Sequence, residues 1–294
     1  MNTLNLFWRR YITFFQIVCC IIIAVGTFYT APYLFRLHRE QTPILETPHN
    51  EMREIPNDVL SQIPGTLSPV TLRIPILMYH YVEYVADKND PFRESMNIKP
   101  DTFDLQMRTL KEAGYTFMWA RELGEVLDHR RNLPKDPILI TLDDGHWDVI
   151  TDILPILQKY NIKATAYVIP GMTGGSDFMT EEQVAQLINS GLIEVGSHTV
   201  HHIPLQGKLF ETAQYEIIES RKILQEKYDI PVYSFAYPSG SFDVQAINLA
   251  KKAGYTTAMS TIDGTEVNEA NRFFLYRLRP GYRVGADLIE YIER

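Results

Sequence analysis

Two groups of polar residues have types and spacings that suit hydrolytic chemistry. The first is Asp143-Asp144-Gly145, which follows an apolar run rich in β-branched residues at positions 138–142. That run predicts a buried strand. Adjacent carboxylates repel each other, so a fold keeps them together mainly where a metal ion or a proton transfer gives them separate tasks. The alternative is an ordinary strand-to-loop turn, because Asp and Gly both favour turns.

The second group is His198, His201 and His202, three of the eight histidines of the chain. If a helical turn follows the preceding strand, His198 and His202 face the same way because they are four residues apart. Two imidazoles and one aspartate could bind zinc or a similar divalent ion, and the second aspartate could then take a proton from water. The alternative is a histidine-rich surface loop.

A hydrolysis also needs an acid that protonates the leaving group. His80 follows a predicted strand at residues 74–79 and is the best candidate for that acid. Without further support, a lone histidine in this position is more often a structural residue.

The elements that must position these residues alternate regularly from residue 74 onward. Predicted strands cover 74–79, 138–143, 164–169, 192–197, 234–237 and 256–260, and predicted helices cover 101–113, 147–160, 180–190, 208–228 and 243–253. This alternation is typical of an α/β fold with a parallel sheet and outer helices, either a barrel or a barrel-like sheet. Active sites of such folds lie at the carboxyl ends of the strands, where both polar groups fall.

Two motifs resemble those of the polysaccharide deacetylases, the NodB-like carbohydrate esterases of family four. Residues 141–145 (T-L-D-D-G) are similar to the family's T-F-D-D-G, and residues 198–202 (H-T-V-H-H) match H-[ST]-x-x-H. The resemblance covers roughly residues 74–283. It implies a distorted (β/α) barrel that removes acetyl groups from N-acetylated sugars with a divalent metal. By motif position, it makes Asp143 the base and Asp144, His198 and His202 the ligands of zinc, with cobalt or nickel as alternatives.

The chain departs from the family pattern in two places. The usual R-x-P-[YFW] motif corresponds here to Ala236-Tyr237-Pro238-Ser239, which lacks the arginine, and no histidine follows His202. Both departures resemble a circularly permuted subgroup that includes poly-β-1,6-N-acetylglucosamine deacetylases, with F-A-Y-P-x-G at 235–240 and P-I-L-x-Y-H at 75–80. In that subgroup the early histidine, His80 in this chain, replaces the late acid.

Three further residues receive predicted supporting roles. Arg277 is the candidate that replaces the missing arginine as a partner of Asp143, and its change to Ala is expected to reduce turnover far more than stability. The alternative is a surface arginine. Tyr237 and Trp147 could stack on sugar rings, since aromatic faces offer apolar area with a polar handle, although core packing is the commoner fate of such residues.

The N-terminal region predicts a membrane anchor. Residues 11–33 are overwhelmingly apolar and follow Arg9 and Arg10, and about 20 such residues span a bilayer as a helix. A cleaved signal peptide is the alternative. The predicted organisation is an anchor at 1–35, a proline-rich linker at 36–70 and a deacetylase domain at 71–294, with the catalytic domain outside the cytoplasm of a single-pass membrane protein.

The net charge of -8 over 294 residues argues against nucleic acid as a partner, because phosphate binding needs clustered Lys and Arg. The predicted function is the metal-dependent N-deacetylation of an extracellular or cell-wall polysaccharide similar to poly-N-acetylglucosamine. Two alternatives stay open: an O-deacetylase or amidase that uses the same metal site, and a catalytically silent carbohydrate-binding domain.

Overall fold

The computed structural model describes residues 71–85 and 90–294, in which a parallel sheet is flanked by helices. The strands are β1 (Leu72–Arg73), β2 (Ile76–Tyr79), β3 (Tyr81–Val82), β4 (Asn97–Ile98), β5 (Thr116–Met118), β6 (Pro137–Leu142), β7 (Ala164–Val168), β8 (Ile193–Ser197), β9 (Ser234–Ala236), β10 (Thr257–Met259) and β11 (Glu266–Val267). The α-helices are α1 (Pro91–Met96), α2 (Pro100–Glu112), α3 (Ala120–Leu127), α4 (Leu154–Tyr160), α5 (Glu181–Asn189), α6 (Phe210–Gln214), α7 (Ser220–Tyr228), α8 (Val244–Ala253) and α9 (Gly285–Glu293).

The main sheet has the strand order β10-β9-β8-β7-β6-β2, and β5 also pairs with β6. Every pairing in it is parallel. The predicted α/β alternation is confirmed, and each predicted strand is present with ends that differ by at most two residues from the prediction. The carboxyl ends of the strands therefore share one edge, as the site requires.

A segment near the C-terminus bridges the two ends of this sheet. Leu275 forms a parallel bridge with Met259 of β10, and Leu278 forms one with Leu77 of β2. The Ser260 amide donates to the Leu275 carbonyl at 2.9 Å, and the Leu278 amide donates to the Ile76 carbonyl at 2.8 Å. Residues 275–278 thus complete a barrel-like ring.

Strands β2, β7, β9 and β10 are buried at every residue, as expected for a parallel sheet that is covered on both faces. One face of β6 contributes Ile138 and Ile140 to a large cluster that includes residues of the outer helices. The other face contributes Leu139 to a smaller cluster inside the ring. That inner cluster takes one residue from each of several neighbouring strands: Ile76, Leu139, Tyr167, Ala236 and Met259.

Two predicted helices contain local π-helical turns. The helix predicted at 147–160 is a π-helical turn at Val149–Ile153 followed by α4, and the one predicted at 208–228 is α6, a π-helical turn at Tyr215–Glu219 and α7. Pro155 is the second residue of α4, which begins directly after the π-helical turn at Val149–Ile153.

The predicted membrane anchor (1–35) and linker (36–70) lie outside the described residues. Across 71–85 and 90–294, no helix combines the length and apolar character needed to cross a membrane.

Candidate active site

Asp143 and Asp144 follow β6 with backbone conformations that separate their side chains. The Asp143 amide donates to the carbonyl of Tyr79 at 2.9 Å, so it continues the pairing of β6 with β2. Asp144 and Gly145 are both left-handed, with φ of 73° and 78°. This conformation is uncommon for a residue with a side chain, although Asp adopts it more readily than most. The turn gives the two adjacent carboxylates different partners.

Asp143 is buried against the guanidinium of Arg277. Arg277 donates from Nη1 to Oδ1 and from Nη2 to Oδ2, both at 2.7 Å. Burial alone would raise the pKa of Asp143, but the Arg277 guanidinium outweighs it and holds this pKa below its ordinary value. The carboxylate is therefore ionised at neutral pH and available to accept a proton.

Arg277 is itself only 1% exposed and is held by the ring-closing segment 275–278. Its Nε donates to the Ser260 carbonyl at 2.7 Å, and its Nη1 also donates to Thr141 Oγ1 at 3.1 Å. The alternative of a surface arginine is wrong, because these contacts and the pair with Asp143 bury the whole guanidinium.

His80 lies at the end of β2 and faces the same carboxylate. Its Nε2 is 3.8 Å from Asp143 Oδ2, and its side chain is 14% exposed. Burial lowers the pKa of His80 to about 4, although the charges of Asp143 and Asp144 act in the opposite direction. His80 is therefore neutral at pH 7 and lies beside the base.

Asp144, His198 and His202 form a cluster that could hold a metal ion. Their ligand atoms all lie within 4.8 Å of one another. Asp144 Oδ1 is 3.3 Å from His198 Nε2 and 3.2 Å from His202 Nε2, yet this buried oxygen accepts no hydrogen bond from any described residue.

The hydrogen bonding of His198 supports a cation at this cluster. His198 Nδ1 is 2.7 Å from the carbonyl oxygen of Ala236. Because a carbonyl only accepts, Nδ1 carries the proton and the Nε2 lone pair faces Asp144. The imidazole lone pair and the carboxylate oxygen thus face each other with no proton between them. Such a pair of donors suits a divalent metal ion.

The segment from His198 to His202 is a loop and not the predicted helical turn. Thr199 and His202 are left-handed, with φ of 64° and 56°. The loop approaches the chain after β7, where the Gly171 amide donates to the Val200 carbonyl at 3.0 Å. Any side chain at Gly171 would collide with that carbonyl. His198 and His202 meet through this tightly packed loop, whereas His201 points away and contacts Glu216.

The prediction that Tyr237 stacks on a sugar ring is wrong. Tyr237 is fully buried, its ring packs against Phe235 and Phe242, and its hydroxyl donates to the Phe273 carbonyl at 2.9 Å. Its ring therefore has no face available to a ligand. Trp147 is partly exposed beside the Asp-Asp-Gly turn, so its stacking role stays a prediction.

His146 contacts the candidate metal cluster although no sequence signal assigned it a role. Its Nε2 is 3.4 Å from Asp144 Oδ2, and its ring stacks between Tyr81 and Phe178 with centroid distances of 4.2 and 4.8 Å. In the sequence, only its position directly after the Asp-Asp-Gly motif indicates that it lies near the site.

Comparisons with known proteins agree with this geometry. The sequence model of the polysaccharide deacetylase family matches residues 130–258, which include both motifs. YxkH of Bacillus subtilis (strain 168), whose name assigns it provisionally to the polysaccharide deacetylases, is 29% identical over 223 residues, or 75% of this chain and 76% of that protein. A poly-beta-1,6-N-acetyl-D-glucosamine N-deacetylase of Staphylococcus aureus (strain MSSA476) is 24% identical over 200 residues, or 63% of this chain and 68% of the relative.

A solved structure supports the same assignment. The Streptococcus pyogenes deacetylase PplD, solved in complex with acetate, has a TM-score of 0.70 and 27% identity, covering 77% of this chain and all of that one. With the two motifs gathered at one sheet edge, these similarities identify a polysaccharide deacetylase domain in the part of the chain that includes residues 130–258.

Proposed function

We propose that this domain is a metal-dependent N-deacetylase that hydrolyses acetamide groups of an N-acetylated polysaccharide. One observation carries the proposal: an ionised aspartate paired with a buried arginine lies beside a histidine and a separate Asp-His-His cluster at the same edge of the sheet. Amide hydrolysis needs a base, a proton donor and stabilisation of the developing oxyanion.

Asp144, His198 and His202 would hold the divalent ion. When bound, the ion supplies a Lewis acid that polarises the acetyl carbonyl and makes water more acidic. His146 Nε2 lies 3.4 Å from Asp144 Oδ2, and Ala236 keeps the His198 ring oriented through the Nδ1 hydrogen bond. Zinc is the expected ion, and cobalt and nickel suit the same donors.

The chain's own groups carry the protons. Asp143 takes the proton of the attacking water, while Arg277 keeps both carboxylate oxygens oriented. His80 begins neutral, and its Nε2 lies 3.8 Å from Asp143 Oδ2. It receives that proton from Asp143 and passes it to the sugar nitrogen as the C–N bond breaks, which yields acetate and a free amine.

The substrate is proposed by analogy with the Staphylococcus aureus relative, whose name specifies poly-β-1,6-N-acetylglucosamine. The proposed location is outside the cytoplasm on a membrane anchor, which is supported by the apolar residues 11–33. Protease treatment of intact and of lysed cells tests this location. Cleavage of the domain in lysed cells but not in intact cells contradicts it.

Acetate release by the full-length protein tests the activity. The metal-free protein, purified in detergent, is loaded with zinc, cobalt or nickel and given N-acetylglucosamine oligomers of β-1,6 or β-1,4 linkage. We expect release that Asp143→Asn abolishes and Glu194→Gln retains. Glu194 is a matched control because it is a half-buried acid of β8 whose carboxylate accepts a hydrogen bond from Thr165 outside the site.

Two outcomes would overturn the proposal. Turnover confined to O-acetyl or non-sugar substrates indicates a different hydrolase, and oligomer binding without turnover in any of the three metals indicates a silent carbohydrate-binding domain.

A further inference from the structure

Glu216 is a buried acidic residue outside the candidate ligand set. It lies in the π-helical turn Tyr215–Glu219 and is 4% exposed. Its Oε2 accepts the backbone amides of Val200 and His201, each at 2.9 Å. Its Oε1 is 2.8 Å from His201 Nδ1. One carboxylate therefore binds the loop between the two histidine ligands at three points.

The loop needs this partner because of its backbone conformation. Thr199 and His202 are left-handed on either side of the two amides that Glu216 binds. A loop with this conformation forms no regular ladder that could satisfy those amides, and an unpaired buried N–H is costly. Charge-assisted bonds to a carboxylate are stronger than bonds to a neutral acceptor. Glu216 thus stabilises the conformation that turns His202 toward Asp144.

The π-helical turn is anchored to the strand that directly precedes His198. The Ile217 carbonyl accepts from Ser220 Oγ and from the Tyr255 hydroxyl, both at 3.1 Å. Ser197, the last residue of β8, donates to Ser220 Oγ at 2.7 Å. A π-helical turn inside an α-helix is frequently found at a functional site. Here it is fixed to β8 on one side and holds the histidine loop on the other.

We propose that Glu216 is a positioning residue for metal binding, which keeps His202 in register with His198 and Asp144 by fixing the backbone of Val200 and His201. The inference rests on the proposed function in taking Asp144, His198 and His202 as the metal ligands. Glu216 touches neither the reacting atoms nor a ligand imidazole, so its effect is on metal affinity and passes to turnover only through the metal.

Metal affinity tests this role separately from catalysis. Metal-free full-length wild type, Glu216→Ala, Glu216→Gln and Glu194→Gln compete for zinc with a chromophoric chelator, and thermal unfolding of each metal-free protein is recorded in parallel. Glu194→Gln is the matched control, since this carboxylate accepts the Arg121 amide at 3.1 Å near the opposite end of β8 from His198.

We expect Glu216→Ala to bind zinc about 10- to 100-fold more weakly, the usual loss when a residue that orients metal ligands is removed. Glu216→Gln keeps an acceptor for the amides but loses its charge, so we expect about a fivefold loss. Glu194→Gln should bind zinc as wild type does, whatever its unfolding temperature. Acetate release at saturating zinc should recover in Glu216→Gln.

The inference is overturned if both Glu216 variants bind zinc as tightly as wild type, or if Glu194→Gln loses as much affinity as they do. Should Glu216→Ala not fold, the Gln variant decides by the same criterion. A wild type that binds no metal overturns the proposed function as well, so the two failures are distinguishable.

Discussion

Replacement of Arg277 tests whether one buried ion pair sets the ionisation of the base. In Arg277→Ala, both oxygens of Asp143 lose a hydrogen-bond donor at 2.7 Å, and the guanidinium no longer opposes the effect of burial on this carboxyl group. We therefore expect the pKa of Asp143 to rise. An opposite charge in direct contact typically lowers a carboxyl pKa by about 1–3 units.

The assay is acetate release as a function of pH. The acidic limb of kcat/KM reports the base of the free enzyme, so it should move to higher pH by about 1–3 units. Below both pKa values the variant loses about 10- to 1000-fold in kcat/KM. The loss shrinks as pH rises through the shifted pKa.

Stability should fall in the same variant. Removing one partner of a buried ion pair costs about 3–5 kcal/mol, and Ser260 and Thr141 also lose a donor. The sequence alone predicted a far larger effect on turnover than on stability. The structure indicates both effects, because Arg277 is fully buried in the ring-closing segment.

Arg272→Ala is the matched control. Arg272 is a partly buried arginine that donates to the Thr256 carbonyl at 3.0 Å and pairs with Asp128 at 2.9 Å, away from Asp143. It should lower the unfolding temperature and leave the acidic limb in place. An acidic limb in Arg277→Ala that coincides with the wild-type limb would refute the reasoning.

Three further predictions follow from the same contacts. Removal of zinc from the loaded wild type with a chelator should lower its stability, by about 2.7 kcal/mol if free zinc had been 100 times its Kd. The Asp144→Asn variant should show a much smaller change. Equal changes in the two proteins would place the stabilising ion elsewhere. In the metal-free protein, the pKa of His80 is about 4, below its ordinary value of 6.5, so the unfolded chain takes up this proton first as pH falls. The free energy of unfolding of the wild type should therefore fall by up to about 3 kcal/mol between about pH 6.5 and 4, and that of His80→Asn should not show this loss. Urea unfolding in which both proteins have the same dependence on pH contradicts this. Tyr237→Phe should keep its turnover but lose about 1 kcal/mol of stability, because only the hydrogen bond to the Phe273 carbonyl is removed; a selective rise in KM for sugar oligomers would restore the stacking hypothesis.

The strands that could be predicted are those whose own sequence is sufficient. Residues 138–142 are continuously apolar, which suits a strand buried on both faces. Strand β5 was missed because it has only three residues, Thr116–Met118, and is stabilised by pairing with β6. Helix α3 was missed along with it, since it begins directly after Trp119, which is not a typical N-cap residue, although the Glu122 side chain accepts the Trp119 amide at 3.0 Å.

The site residues differ in the same way. Asp143, Asp144, His198 and His202 are adjacent or closely spaced, so their chemistry is visible in the sequence. Glu216 is not, because it lies in a long amphipathic helical stretch where an acidic residue is ordinarily a solvated one. The structure shows that its side chain points inward, because Glu216 lies in the π-helical turn at Tyr215–Glu219 and its carboxylate accepts the Val200 amide.

The position of Arg277 depends on the register of the segment that closes the ring. Side chains alternate along an extended segment, so Leu275 and Arg277 share the inner face, and Leu275 indeed packs in the inner cluster while Leu278 packs in the outer one. The register is fixed by the Arg277 amide, which donates to the Ile262 carbonyl, and by the Leu278 amide, which donates to that of Ile76. A slip of one residue would direct Tyr276 or Leu278 at Asp143 and leave a buried carboxylate without a cation. The requirement at the base is therefore a guanidinium at one point of the ring, which a segment distant in sequence from the usual motif can supply.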